Sequence, residues 1–313
     1  MNRYSLFHVT EFTYDGPVSE SYNEVRLRPR QDEMQTCVSF RLVTAPTAHI
    51  SAYQDAHGNW VHRFNVMPEH RHLRIEAGSV VLLQEPVPLP ADGIPLGELA
   101  AHAGALDEFY DLLSPTVYVP HLPAVEQLGR DAERESGGSV AGFVRAAASL
   151  VYGRFRYEKG ATHVQSSIED VLRTGAGVCQ DFAHLLLAIL RMRGLPARYV
   201  SGYLAPQAAG DVIGGQASHA WTEVYVPGEG WFGLDPTLGQ PVDLRHVRVA
   251  YGRDYGDVAP VRGIYKGHAG QRLSVDVHVR PALDEEGCEH LQETAAGPLQ
   301  PAPPEEPPQQ QQQ

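Results

Sequence analysis

The stretch GAGVCQDFAHLLLAILRMRGLPAR, residues 175–198, decides the fold. Gly175 and Gly177 break any preceding helix. Phe182, Ala183, Leu186, Leu187 and Leu190 then repeat at helical spacing, so Cys179 opens a buried helix. Free backbone N–H groups and the positive dipole end at such a position favour a thiolate, lowering a thiol pKa from about 8.5 towards roughly 3.5–7.5. The glycines let a substrate approach the backbone and leave the Cys179 N–H as an oxyanion donor. A cysteine in an apolar helix is otherwise an inert core residue, and Cys37 and Cys288 are read that way.

Two later segments raise Cys179 above that reading. In SHAWTEVYV, residues 218–226, Ala220, Thr222, Val224 and Val226 share one face of a strand, and His219, Trp221, Glu223 and Tyr225 share the other. His219 therefore begins a strand, where it can act as a general base. Asp235 follows in GWFGLDPT, residues 230–237, after Gly228 and Gly230 mark a hairpin turn. The hairpin brings His219 and Asp235 together as cross-strand neighbours, so the carboxylate can accept the imidazole N–H and fix its tautomer. Taken singly, one of 15 histidines and an Asp-Pro turn mean little. Together with Cys179 they supply a nucleophile, its base and the group that orients the base.

These residues resemble the transglutaminase-like superfamily, with its G-V-C-x-D-F-A helix start, S-H-A-W strand and G-W-x-x-x-D-P-T strand. The likeness extends to RYVSGY (198–203), HVRVAYGRDYGDVAPVRGIYKG (246–267), and SLFHVTEFTYDGPV (5–18) with DAHGNWVHRF (55–64), which resemble the bacterial branch and its N-terminal β-domain. The resemblance implies an α+β, papain-like transglutaminase core, in which a helix bearing the cysteine packs on an antiparallel sheet bearing the histidine and aspartate, preceded by an antiparallel β-domain. It makes Cys179 the nucleophile, His219 the base and later acid, and Asp235 the orienter. Attack on a peptide or carboxamide carbonyl would form a thioester, passed on to water or an amine. Hydrolysis is favoured here over transamidation, since nothing in the chain marks an amine site. Gln180 follows the cysteine, where papain-type enzymes carry a glutamine before it, so the second oxyanion donor is unassigned. Tyr203, Trp221 and Tyr255 are the candidates to line the cleft, and Asp181 has a helix-start role.

The chain has 313 residues, 42% hydrophobic, enough for about two domains with a real core. The longest apolar runs, such as LLLAIL, fall far short of the roughly 18 residues of a membrane span, and MNRYSLFHVTEF has no signal-peptide stretch. A formal charge of −13 argues against nucleic acid and anionic lipid as partners. Three scattered cysteines make no disulfide framework, and a reducing cytoplasm would keep Cys179 active, so a cytoplasmic location is expected. No cofactor or metal is expected; the expected partner is a protein, peptide or small amide substrate.

Alternating strands over residues 1–90 predict a β-sandwich or barrel, and Pro86, Pro88 and Pro90 form a linker. Residues 91–283 form the catalytic core with a helical lead-in at 98–113, 124–135 and 140–152, and a Ser166/Glu169 capping box. Residues 284–313, rich in proline and glutamine, read as a disordered tail. Arg253, Asp254 and Tyr255 are candidates for a loop over the cleft. One rival is a metal enzyme using His70 and His72, although no HExxH or paired CxxC spacing supplies a further ligand. The other is a catalytically silent peptide- or protein-binding module on the same fold.

Overall fold

Period-two patterning in the first quarter of the chain becomes β1 (Asn2–Val25), β2 (Gln35–Ala45), β3 (Ser51–Gln54), β4 (Trp60–Val66) and β5 (His70–Leu83). The computed structural model describes residues 2–91, 94–162, 166–206 and 218–282. The tail read as disordered, and Cys288 within it, lie outside the described residues.

A helical region follows: 3₁₀ turns over Leu96–Phe109, then α1 (Tyr110–Leu113), α2 (Pro123–Arg134) and α3 (Val140–Arg154). The expected helix over 98–113 is thus mostly 3₁₀. The two-residue β6 (Arg156–Tyr157) leads to α4 (Ile168–Thr174), β7 (Ala176–Gly177) and α5 (Cys179–Met192). The capping box of α4 is formed by Ser167 and Asp170, one residue beyond the expected pair. Gly175 takes the left-handed conformation that ends α4, with φ of 69°. The chain continues through β8 (Ala197–Leu204), β9 (Ser218–Val226), β10 (Gly230–Asp235), β11 (Gln240–Pro241) and β12 (His246–Gly252). It closes with α6 (Tyr255–Val258), β13 (Val261–Lys266) and β14 (Gln271–Pro281).

Strands β11-β10-β9-β8-β12 form an antiparallel sheet in that order. Residues 180–191 of α5 are buried on every side, which places this helix at the centre of the catalytic layer, with α2, α3, β8 and β9 around it. Apolar side chains of α3 and α5 share one core with Ala197, Tyr199, Val224 and Val226.

Strands β6 and β7 pair with each other, and the others form a seven-stranded sheet, β2-β5-β1-β4-β3, with β13 and β14 on the other side of β1. At 24 residues β1 is far longer than a usual strand, and its register breaks between Thr13 and Val18. Its first part pairs with β5 and β14, its last part with β4 and β13. Strands 261–281, read above within the core over 91–283, pair with the N-terminal β-layer instead, because β1 has a second edge whose backbone groups they satisfy.

Two side-chain amides fasten this layer to the catalytic sheet. Gln35 donates to the Arg248 carbonyl at 2.9 Å and accepts the Arg248 N–H at 2.8 Å; Asn59 does the same for Tyr251 at 2.7 and 2.8 Å. Both therefore pair with the backbone of β12 at the sheet's edge. Tyr4, Leu6, Val277 and Val279 pack below them against Tyr203, Val247 and Val249.

Gly202 shows how closely the five-stranded sheet itself is packed. A Cβ there would lie 2.1 Å from the Val247 carbonyl oxygen and 2.5 Å from the Trp221 ring. Gly202→Ala should cost about 1–3 kcal/mol through overpacking, read as a lowered chemical-denaturation midpoint with unchanged slope.

Candidate active site

The Gly-Val-Cys-x-Asp spacing has a local explanation. Asp181 turns back over the first turn of α5 and accepts the Val178 N–H at 2.8 Å, with Thr162 donating to the same oxygen. A Cβ on residue 177 would come within 2.9 Å of that carboxylate, so glycine is needed there. The first intrahelical bond runs from Phe182 N–H to the Val178 carbonyl, placing the Cys179 N–H in the open first turn. The Cys179 side chain is half-buried and free of any disulfide.

His219 opens β9 beside it. Leu234 pairs with Thr222 across the hairpin, so Asp235 sits level with Trp221 and reaches His219 as a diagonal cross-strand neighbour, two residues from direct pairing. The Nε2 atom of His219 lies 2.6 Å from Asp235 Oδ2, and His219 and Cys179 line the same cleft. With Nε2 committed to the aspartate, Nδ1 is left for sulfur. Thr222 donates to the Ala183 carbonyl at 3.2 Å, tying the strand that carries the histidine to the helix that carries the cysteine.

Burial disfavours a charged His219 ring, but the charge and hydrogen bond of Asp235, followed by Cys179, outweigh it and lift its pKa to about 10. Burial works against the Asp235 anion too; His219 and His246 overcome it and hold the carboxyl well below the usual range. The sign of the linkage is opposite for the two groups. His219 contributes stability that is full below about 6.5 and fades as pH rises through about 10, whereas Asp235 contributes above its unfolded value and loses it on acidification. The Tm deficit of Asp235→Asn against the parent should therefore be largest between about pH 4 and 6.5 and shrink towards pH 10. A deficit independent of pH would show that the pair is not charged.

His246, at the start of β12, is a residue that motif reading did not single out. Its Nε2 lies 3.1 Å from Asp235 Oδ2, the oxygen already bonded to His219. The other aspartate oxygen accepts the N–H groups of Thr237 at 2.8 Å and Leu238 at 3.2 Å. Only the return of β12 alongside β8 brings this histidine in, so no local spacing could have revealed it.

The cleft at Cys179 has a volume of about 660 Å³. Gln180, Tyr199, Ser201, His219 and Tyr255 line it from the core, and Thr10, Phe12, Tyr14, Asn23, Ile264 and Leu273 from the β-layer. Tyr255 thus borders the cleft; its N–H donates to His184 Nε2 at 3.1 Å. Burial and then Arg191 drive the His184 pKa down to about 3, keeping that nitrogen a neutral acceptor. The other two cleft candidates lie elsewhere. Trp221 is 0% exposed, packed with Val200, Val242 and Tyr251, because Gly202 leaves room for its ring inside the fold. Tyr203 is buried between the layers, with His8 Nδ1 2.9 Å from its hydroxyl.

The metal rival finds little geometric support at His70, which bonds Ser21 and the Pro68 carbonyl, while His72 is exposed. Among the described residues His219, Asp235 and His246 are grouped closely enough to share an ion, but their facing atoms are engaged with one another.

Residues 128–236 match the transglutaminase-like superfamily, and residues 4–82 match the bacterial transglutaminase-like N-terminal region. The chain belongs to the transglutaminase-like superfamily, in the bacterial group that carries this N-terminal region. An uncharacterised protein of Mycobacterium leprae is 37% identical over 282 residues, covering 89% of this chain and 99% of the relative. A protein-glutamine gamma-glutamyltransferase of Pseudomonas aeruginosa is 37% identical over 68 residues, 20% of this chain and 10% of that protein. A solved structure from Cytophaga hutchinsonii, named provisionally as a cysteine protease, shares the fold with a TM-score of 0.70 at 23% identity, over 91% of this chain and 92% of the other.

Proposed function

We propose that the protein is a cysteine-dependent acyl-transfer enzyme that cleaves a peptide or carboxamide bond through a thioester, with water as the usual acceptor. The observation that carries this reading is that Cys179 and His219 line one cleft, with Asp235 bonded to His219 behind it at 2.6 Å. His219 takes the thiol proton, and the sulfur attacks the carbonyl carbon. The C–N bond breaks as the His219 proton passes to the departing amine or ammonia. Water then attacks the thioester, giving its proton to His219, and releases the acid with the thiol restored. Asp235 holds the ring in place and stays ionised throughout. The Cys179 N–H is positioned as one oxyanion donor.

The cleft favours an extended, neutral or acidic polypeptide. No aspartate or glutamate lines it among the described residues, although the chain as a whole carries a formal charge of −13. Strands β13 and β14 border its mouth and pair only with β1 among the described residues, leaving their outer edge open to an added strand. Ile264 and Leu273, 72% and 54% exposed, stand on that edge.

The test is intact-mass labelling by iodoacetamide and by a peptidyl electrophile from pH 5 to 9. Cys179 should label early and lose that reactivity in His219→Ala. Cys37, whose pKa burial pushes up, should follow only at high pH. Slow labelling of all three cysteines without preference would favour a silent binding module on the same fold. Turnover surviving a chelator would dispose of a catalytic metal. Ammonia release without amine incorporation would separate hydrolysis from transamidation.

A further inference from the structure

The Asp235 carboxylate is shared. Its Oδ1 is held by two backbone N–H groups, so the orientation of the side chain is fixed without further help. The remaining oxygen, Oδ2, faces two imidazoles, His219 at 2.6 Å and His246 at 3.1 Å, whose ring centroids are 6.3 Å apart. Both rings are buried and Asp235 is fully enclosed.

The proton on His246 facing Asp235 follows from what surrounds the other nitrogen. His246 Nδ1 lies 3.0 Å from the Asp243 backbone N–H and 2.9 Å from Asp243 Oδ1. If Nδ1 accepts from the N–H, the neutral ring carries its proton on Nε2. If Nδ1 instead donates to the Asp243 carboxylate, Nε2 still faces the Asp235 carboxylate oxygen, which would repel a bare nitrogen lone pair, so Nε2 keeps its proton. Either way Nε2–H donates to Asp235. Asp243 is itself paired with Arg245 at 2.8 Å, and Trp221 meets the His246 ring edge-on at 5.2 Å. Asp235, Asp243, Arg245 and His219 are therefore the charged and titratable groups about His246.

We infer that His246 is a positioning residue for the acyl-transfer chemistry, which by donating to the shared Asp235 oxygen moderates the aspartate's hold on the His219 proton. This inference rests on the catalytic reading given above. A carboxylate that accepts an additional hydrogen bond is a weaker base, so its pull on the neighbouring imidazolium is smaller. That matters because His219 must both take a proton from sulfur and give it up to the departing amine. An aspartate facing His219 alone would hold the imidazolium more firmly and slow the second task.

The experiment is an imidazole ¹⁵N NMR titration of His219 in full-length Cys179→Ala protein, alone and combined with His246→Phe or His246→Gln. The Phe side chain removes the donor while filling the space; Gln retains an N–H. The Phe variant should raise the His219 midpoint by about one pH unit, the scale of a hydrogen bond to a charged group, while Gln keeps it near the parent value. In the Cys179-containing chain, His246→Phe should lower kcat about ten-fold or more while iodoacetamide still labels Cys179 selectively, and His246→Gln should restore kcat. Should the Phe variant not fold, His246→Met offers a flexible side chain without the donor. A folded variant lacking the donor whose His219 midpoint is unchanged or lowered overturns the inference. Because the titration uses a chain without the nucleophile, it reads the His246 effect even if Cys179 proves unreactive, an outcome that would defeat the catalytic reading and leave the proton balance at Asp235 separately measured.

Discussion

Cys179→Ala should reduce turnover by at least about 10⁴-fold while leaving the thermal midpoint within a few degrees of the parent. The sulfur makes the only covalent bond to substrate in the proposed cycle, so no neighbouring group can substitute for it. Its side chain is half-buried at a helix start, where alanine is accommodated without a large cavity. His219→Ala should be nearly as damaging, because neither proton transfer then has a carrier. Asp235→Asn should also cost about 10⁴-fold, because the amide can donate to His219 and stabilise the wrong tautomer, whereas Asp235→Ala should retain more activity. These losses should not add in the double variants, since the residues act as a unit. Measured kcat values for the single and double variants, each with its melting curve, check the set. Unchanged turnover in Cys179→Ala would end the proposed mechanism.

Glu223→Ala should destabilise the fold by about 3–5 kcal/mol, the largest stability effect expected from a single polar side chain here. Glu223 is almost wholly buried on β9 and binds two guanidinium groups, Arg198 at 2.6 Å and Arg248 at 2.7 Å. Arg198 also lies over the Tyr251 and Trp231 rings at 3.7 and 4.0 Å. Removing the carboxylate leaves two cations facing each other without the anion that binds them both. Burial penalises the Glu223 anion, but Arg198 and Arg248 outweigh that penalty and bring its pKa down to about 2. A depressed carboxylate contributes stability above its unfolded value, near 4.5, and loses it as pH falls through about 2. Chemical denaturation at neutral pH should show the full deficit of Glu223→Ala. The deficit should narrow below about pH 4, and equal stability of variant and parent at pH 7 would show that the cluster contributes nothing net.

Local sequence was enough for the parts of the site that depend on short-range geometry. Gly175 and Gly177 end one helix and admit the next, so Cys179 had to stand at a helix start. The turn at Gly228 and Gly230 fixes a tight hairpin, so His219 and Asp235 had to lie near one another. Their diagonal offset could not be read, because it depends on how the register counts out from the turn. Parity placed Trp221 on the same face as His219, and the step from there to a cleft residue failed: the face is shared, but Gly202 opens space for the indole inside the fold.

What the sequence by itself determined is the helix that presents the thiol, the hairpin that pairs the base with its carboxylate, and the alternating strands of the first quarter of the chain; each follows from periodicity and turn chemistry over a few residues. Only the tertiary structure decided that β13 and β14 return to the N-terminal sheet, that this sheet walls the cleft, and that His246 shares the Asp235 oxygen. Those relations join residues far apart in the chain, such as Asn59 with Tyr251 and Tyr14 with Gln271. The packing that brings them together is set by the area buried and the backbone groups left to pair across the whole fold, which no short window of sequence contains.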